Sequence, residues 1–503
     1  MAPARIALPF EKSDSYTTTF IRQHINTRLR LILLSSFVLA LFLNVFAFKS
    51  HIPSTDTVLD TLHLSNTGPT IQLALVNAHH ANDEVHTALY NAFSQVKNVN
   101  VTRYQQTSSF GMDDVVAQLP HPPKTAWQPI SEFTRLSAHG PAPDIVVSTT
   151  CGNDYSQEPD AVSALKLDYA RLLEHHNTHL ICVMHQGNHF VDGFGFEVKS
   201  VLRPWLLAGR LDIVTLSPHV GEYFMREVYP LFWDDMGDVV PSMRTFIPVF
   251  PVHAELPARN QDVLKLAIQG SFDHGRNFTS LFEDFVNVKA EWDAIGQGED
   301  AERIQLHIIG SGTRPEVPEE VEHQVIFHEN LDYTSYYSLL SEMDAMMPAF
   351  SDENWGGNDY YSNVASSTVP ASLNSGTPLI ADFRLIEAYS YLRLGMVWYR
   401  DDNEHEIDAA FRMLAAGASQ RSSLKAGVLG RRDELLQENL ENVKEWIGSA
   451  INGNKARLAS AGQKSAVQVE EAEVPPTSLE KAVHKFNPFP GREGSKRQRS
   501  WQG

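Results

Sequence analysis

Short apolar runs alternate with amphipathic segments along most of the chain beyond residue 70. Runs such as IQLALVNA and KLAIQGSF have the length of buried strands, and the segments between such runs carry apolar residues at helical spacing. This alternation predicts a mostly parallel sheet with helices on both faces. The pattern lapses in a Pro-punctuated stretch after Tyr229 and then restarts. We therefore expect an α/β chain with two Rossmann-like domains facing a cleft, at residues 69–255 and 260–415.

An uncharged apolar run, LILLSSFVLALFLNVFAF, precedes the first of these domains. It is just long enough to cross a bilayer, and the arginines before it keep the N-terminus in the cytosol by the positive-inside rule. We expect a cytosolic tail at residues 1–30, a transmembrane anchor at 31–48 and a flexible stem at 49–68. A cleaved signal peptide is the alternative. An uncleaved anchor predicts a single-pass type II protein of the Golgi or ER membrane with its body in the lumen.

Composition excludes one class of binding partner and predicts the structure of the C-terminal segment. A formal net charge of −20 argues against a nucleic-acid-binding protein, because such proteins carry a basic face. One more amphipathic segment, ELLQENLENVKEWIGSAI, predicts C-terminal helices at residues 416–453. Beyond them the chain turns to Ala, Glu, Lys, Pro, Ser and Gly, which predicts a disordered tail at residues 454–503.

Two further features bear on the compartment. The triplets that begin at Asn100 and Asn277 are N-glycosylation acceptors, as expected for a lumenal body. Cys151 and Cys182 are the two cysteines of the chain, so a disulfide scaffold is excluded. Each cysteine lies in or beside a predicted strand. They form either a pair or two separate buried thiols, and we favour separate thiols.

The stretch from Leu331 to Asp382 predicts a ligand crevice. It combines a helix, a strand, a polar loop, a short helix beginning at SSTVPASL and a buried strand. The start of the short helix would direct free N–H groups and the positive end of the helix dipole towards the strand ends. Ser366, Ser367 and Thr368 can cap this helix with their hydroxyl groups. An anion such as phosphate suits that position, and an ordinary capped helix is the alternative.

Polar clusters also follow strands of the first half. HQGNHF comes after the fourth predicted strand, and NAHHAND after the first. Ligands of open α/β sheets bind at the carboxyl ends of strands, and histidine is the usual general base near neutral pH. A histidine of these clusters is therefore a candidate base, with a hydrogen-bonded loop histidine as the alternative.

The order of motifs in the second half resembles the C-terminal donor domain of the group 1 (GT4-like) glycosyltransferases of the GT-B fold. LHIIGSG, VIFHENL, YYSLLSEMDAMMPAF and SSTVPASLNSGTPLIAD follow one another as in that family. Gly310 and Gly312 fill its glycine turn, and Gly376-Thr377-Pro378 fills its Gly-x-Pro element. GSFDHGRNF resembles the phosphate loop, with Arg276 where a cation is usual. In the N-terminal half only the alternation and the spacing match.

One departure from the family affects the expected chemistry. Its glutamate pair, spaced E-x7-E, is missing because the two positions hold Asn363 and Ala371. We expect Glu353 and Asp359 in the preceding loop to serve in their place, with His185 as the general base.

The resemblance implies a metal-independent glycosyltransferase that uses no cofactor. Its partners would be a nucleotide sugar as donor and a glycan, lipid or protein as acceptor. A catalytically inactive glycan- or partner-binding relative and another nucleotide-sugar enzyme, such as an epimerase, are the alternatives. The residues implied to contact the donor are Arg276, Gly310, Gly312, Ser366, Ser367 and Thr368.

Overall fold

The protein is described here by a computed structural model. It describes residues 69–78, 82–151, 168–174, 177–190, 195–232, 239–252, 263–272, 276–350, 357–401 and 404–467, all within one compact unit, Pro69–Gly503. The predicted tail, anchor and stem lie outside the described residues, as does the chain from residue 468 onwards. No helix within the described ranges is both long and apolar enough to span a bilayer.

The first half is built on a parallel seven-stranded sheet with the order β3-β2-β1-β4-β5-β6-β7. The central strands are fully buried, which is why they read as continuous apolar runs. The strands are β1 (Ile71–Asn77), β2 (Val99–Gln105), β3 (Gln128–Pro129), β4 (Ile145–Ser148), β5 (His179–Met184), β6 (Leu211–Thr215) and β7 (Ser242–Thr245).

Strand β7 lies in the Pro-punctuated stretch after Tyr229, where the predicted alternation lapses. It is a partly exposed edge strand, so it lacks the apolar run that marks the inner strands. The helices of this half are α1 (Asp83–Ser94), α2 (Met112–Ala117), α3 (Ile130–His139), α4 (Gly195–Leu207), α5 (Pro218–Tyr223) and α6 (Tyr229–Phe232), with residues 168–174 also helical and a π-helical turn at Phe224–Val228.

The second half is built on a parallel six-stranded sheet with the order β10-β9-β8-β11-β12-β13. Its strands are β8 (Leu264–Ser271), β9 (Ile304–Ser311), β10 (Val325–Glu329), β11 (Ala345–Met346), β12 (Leu379–Ala381) and β13 (Val397–Tyr399). Its helices are α7 (Phe278–Ala294), α8 (Gly298–Ala301), α9 (Tyr333–Glu342), α10 (Thr368–Ser375), α11 (Phe383–Ala388) and α12 (Glu406–Ala416). The prediction of two parallel α/β halves in tandem is confirmed.

A single long helix, α13 (Ala418–Val467), contacts both halves. Near its start, the Lys425 ammonium group donates to the Ser341 carbonyl at 2.6 Å in the second half. Further along, Asn439 donates to the Ile247 carbonyl at 2.7 Å, and Trp446 packs edge-on against Phe93 and Phe246 of the first half. The helix therefore contacts both halves of the protein. It runs past residue 453, where the predicted helices end, and takes in the first residues of the segment predicted to be a disordered tail.

Cys151 and Cys182 form a disulfide, so the preference for two separate thiols is wrong. Strand β4 pairs with β5 in a register that places Ser148 beside Cys182. Cys151 follows β4 by three residues, and its Cα lies 5.3 Å from that of Cys182, within the range a disulfide requires. The strand order that brings the two together is not visible in the sequence.

Candidate functional site

The start of α10 lies against the carboxyl end of β8, and Arg276 connects it to the segment after β11 at the same edge of the second sheet. Arg276 follows β8 and reaches this edge. Its Nη2 donates to the Thr368 hydroxyl at 3.1 Å, and both Nε and Nη2 donate to the Gln269 carbonyl at 3.2 Å. The guanidinium lies over the Phe350 ring, with 4.9 Å from Cζ to the ring centroid. The structure thus brings Arg276 of the predicted phosphate loop to the predicted anion-binding helix start.

Side chains of strand β8 and of the first turn hold the start of α10 in place. The Gln269 amide donates to the hydroxyls of Ser367 and Thr368 at 3.2 and 3.3 Å. Ser366 caps the helix, because its hydroxyl accepts from the Thr368 N–H at 3.2 Å. Ser367 occupies the N-cap position and makes no side-chain cap bond, so the expected capping role belongs to Ser366.

Gly310 and Gly312 shape the neighbouring turn. A Cβ on Gly310 would lie 1.8 Å from the Gly270 carbonyl oxygen, so no other residue fits where β8 and β9 end side by side. Gly312 has φ +117°, a backbone conformation that favours glycine. The structure therefore gives these two glycines a role in backbone geometry, and their contact with a donor stays a prediction.

Glu406, at the first position of α12, is a site residue that the sequence reasoning missed. Its two carboxylate oxygens accept from the Ala349 N–H at 3.1 and 3.2 Å. Ala349 follows β11 and has φ +51°, a strained conformation for a residue with a side chain. Burial raises the pKa of Glu406 to about 7, although the nearby Arg400 and Arg276 lower it. In the sequence, Glu406 is marked only by its position in the first turn of a helix predicted from Glu404 to Leu414.

The loop after β5, which carries His185, reaches the second half beside this edge. His185 follows β5, and its Nε2 lies 2.7 Å from the Thr149 carbonyl oxygen. Its own carbonyl accepts from the Ala365 N–H, and the Gly187 N–H donates to the Asn363 carbonyl. The predicted base thus lies at the contact between the halves, close to the start of α10. Because Nε2 faces a carbonyl, the basic nitrogen of a neutral His185 ring is Nδ1.

His219, on α5, is the second missed residue. Its Nδ1 lies 2.9 Å from the Ala388 carbonyl oxygen and its Nε2 lies 3.2 Å from the Val364 carbonyl oxygen. Its ring packs edge-on against Tyr389, whose hydroxyl accepts from the Ser366 N–H at 2.9 Å. His219 therefore links the first half to the segment that leads into α10. Its sequence signal was a place just after the fifth predicted strand.

The structure describes one of the two predicted catalytic carboxylates. Glu353 lies outside the described residues. Asp359 lies in a 3-10 turn, Asn358–Tyr361, where its backbone carbonyl accepts from the N–H groups of Ser362, Asn363 and Val364. Its catalytic role stays a prediction. Among the described residues no group of three or more His, Cys, Asp or Glu could hold a metal ion.

The arrangement is broadly similar to several solved structures. Aligned chains include HepE from Anabaena in complex with UDP-glucose, at 10% identity over 75% of this chain and 100% of that one with a TM-score of 0.45. Sucrose-phosphate synthase from Thermosynechococcus elongatus aligns at 12% identity over 76% and 99% with a TM-score of 0.46. A glycosyltransferase from Rickettsia africae aligns at 12% over 75% and 98%, also with a TM-score of 0.46.

These identities are too low to transfer an activity, and TM-scores below 0.5 leave the likeness as a broad one. No protein-family model matches the chain, and no curated protein matches it.

Proposed function

We propose that the protein is a glycosyltransferase that moves a sugar from a nucleotide-activated donor to an acceptor hydroxyl. The observation that carries this proposal is the bond from Arg276 to the Thr368 hydroxyl at the start of α10. This bond places a guanidinium beside the positive end of the α10 dipole, at the carboxyl edge of a parallel sheet where ligands of such sheets bind.

This edge has the chemistry that a leaving nucleoside diphosphate needs. An arginine forms charge-assisted hydrogen bonds with phosphate oxygens, and the helix dipole adds positive potential in the same place. Preorganised donors of this kind stabilise charge as it develops on a leaving group. The stacking of Arg276 on Phe350 fixes the plane of the guanidinium before a donor arrives.

Glu406 supports an active enzyme in spite of the missing glutamate pair. Asn363 and Ala371 occupy the positions of that pair and are buried. Glu406 brings a carboxylate to the same edge from a different element, beside Arg276 and Arg400. An inactive nucleotide-sugar-binding relative is the second candidate, and the loss of the pair is the observation that favours it.

We propose His185 as the general base, because it stands where the first half meets the start of α10. The disulfide supports an oxidising compartment such as the lumen of the secretory pathway. The exposed Asn100 is accessible for a glycan on the body of the protein. These features support a lumenal body in the Golgi or ER. The proposal keeps the anchor predicted at residues 31–48 and transfer without a metal, as the resemblance to the GT-B family implies.

The proposal is tested by thermal shift with a panel of nucleotide sugars and free nucleotides. A ligand at a hundred times its Kd adds about 2.7 kcal/mol to the free energy of unfolding, which raises the Tm by several degrees. The Arg276→Ala variant should lose most of this shift with the nucleotide that stabilises the wild type. The Arg303→Ala variant is the matched control, because Arg303 pairs with Asp300 on the surface of the same half.

A second measurement separates binding from chemistry. His185→Ala should lower the rate of nucleotide release in the presence of acceptor more than it lowers donor affinity. No stabilisation of the wild type by any nucleotide would overturn the donor site. Binding without turnover across an acceptor library would favour the inactive relative.

A further inference from the structure

A pocket in the first half lies apart from the site described above. It has a volume of about 290 Å³ and is lined on one side by the end of β2 and by α2, and on the other by residues 122–127. The segment just before α2 touches the second half, since the Phe110 carbonyl accepts from the Tyr333 N–H at 2.8 Å. The pocket therefore lies at the carboxyl edge of the first sheet, beside the contact between the halves.

Arg103 lines this pocket and is an unusual residue to find so deeply buried. Its side chain is 5% exposed, and its guanidinium lies over the Tyr90 ring at 5.4 Å. Among the described residues its Nε has no hydrogen-bond partner, and its Nη2 stands 3.6 Å from the Asp113 carboxylate, beyond good hydrogen-bond distance. A buried guanidinium with poorly used donors is costly unless an anion completes its contacts.

The walls around Arg103 are held in place by hydrogen bonds, and a second cation stands beside it. Trp127 donates from its indole N–H to Asp113 at 3.1 Å, which holds the ring against the pocket. Lys124 also lines the pocket, so the lining carries two cations and the Asp113 carboxylate, and the Asp83 carboxylate also interacts with Arg103. The loop that carries these residues is tied down near its start, where the Tyr90 hydroxyl donates to the His121 carbonyl at 3.1 Å.

Size and lining restrict what can bind. The volume is at the lower limit of ordinary ligand pockets, which leaves room for about one sugar ring. Trp127 and two prolines offer apolar surface for one face of such a ring, and Arg103 can bind a carboxylate through its terminal N–H groups. We propose that this pocket binds an acidic sugar, with its carboxylate at Arg103 and Lys124 and its ring against Trp127.

During transfer the pocket would hold an acidic sugar that belongs to the acceptor, and this role rests on the proposed function. Binding of the acidic sugar to the pocket does not depend on that function. Ligand-detected NMR on the full chain compares methyl β-glucuronoside with methyl β-glucoside, which differ in the carboxylate alone. We expect the glucuronoside to bind at least tenfold more tightly, because hydrogen bonds to charged groups are the stronger ones. Raising the salt concentration should narrow this difference.

Three variants locate the binding. Lys124→Gln should weaken glucuronoside binding by about two- to fivefold, as for an exposed charge, and Trp127→Ala should weaken binding of the ring. Lys97→Gln removes another exposed lysine of this half and should have no effect. Arg103→Gln should abolish the preference for the glucuronoside. Lys124 and Trp127 line the pocket from its outer wall, so their variants test the proposal even where loss of Arg103 unfolds the protein.

Equal binding of the two glycosides would overturn the proposal. So would glucuronoside binding that Lys124→Gln and Trp127→Ala leave unchanged. Glucuronoside binding without stabilisation by any nucleotide would uphold the pocket and reject the donor site, so the two proposals fail separately.

Discussion

The Glu406→Gln substitution should stabilise the protein at alkaline pH and leave its stability unchanged at acid pH. Glutamine keeps a side-chain oxygen that can accept from the Ala349 N–H, and it cannot ionise. Burial raises the pKa of Glu406 from its usual 4.5 to about 7, so folding favours the protonated carboxyl. Between pH 4.5 and 7 the folded state binds more protons than the unfolded state, and stability therefore falls as the pH rises.

The size of the effect follows from the pKa difference. Each unit of difference is worth 1.36 kcal/mol, so the ionised Glu406 costs about 3 kcal/mol above pH 7. That figure is an upper limit, because the side chain is partly exposed and water screens its charge. Below pH 4.5 the carboxyl is protonated in both states and the cost disappears.

The assay is a denaturant titration of wild type and variant at pH 4.5, 6 and 8. We expect the variant to gain about 1 to 3 kcal/mol at pH 8 and nothing at pH 4.5. Glu441→Gln is the control, since Glu441 is an exposed residue of α13 that pairs with Lys444. A gain that does not depend on pH would refute the argument from burial. If the carboxylate is retained for transfer, the stabilised variant should also lose turnover, as in other trade-offs between stability and activity.

Three other changes test separate parts of the structure. Loss of the disulfide, by reduction or by the double substitution Cys151→Ala and Cys182→Ala, should lower the free energy of unfolding by about 3 to 4 kcal/mol. The reason is that the disulfide closes a loop with a sequence separation of 31, and the Tm with and without reductant measures the loss. Asn277→Ala should lower the free energy of unfolding by about 1 kcal/mol in a denaturant titration, because the Asn277 side chain accepts from the Ser280 N–H at the start of α7. Thr279→Ala is the control: it removes the glycosylation triplet but keeps this cap, so it should be nearly neutral. Gly310→Ala should give little soluble protein, because its Cβ would overlap the Gly270 carbonyl, and soluble expression at wild-type level would contradict the close approach.

Much of the fold could be predicted because its strands and helices leave recognisable patterns in short stretches of the sequence. Strands buried on both faces appear as apolar runs, and the helices between them show helical spacing. The strands predicted at β1, β8 and β9 match the structure closely. Edge strand β7 was missed because an exposed edge has no such run.

The site could be predicted in part for the same reason. Arg276 and the start of α10 were expected to meet because both belong to a recognisable order of motifs, and the structure joins them. Glu406 and His219 reach the site from elements far away in the sequence, and no local pattern sets such residues apart from surface or core residues. The disulfide shows the same limit, because it depends on which strands are neighbours.

The start of α10 is held from both halves of the protein, and this bears on how the site works. From its own half, Gln269 holds Ser367 and Thr368. From the first half, His219 packs against Tyr389, and Tyr389 accepts from the Ser366 N–H. In a neutral His219 ring one nitrogen lacks a proton while both face carbonyl oxygens, and the nearby Ser217 hydroxyl can donate to Nδ1. A movement that separates the halves would break the His219 contacts and the bonds that join His185 and Gly187 to the segment before Ser366. We therefore expect the proposed diphosphate site to be complete when the halves are in contact. Donor binding would then depend on the same contact that places His185 beside the site.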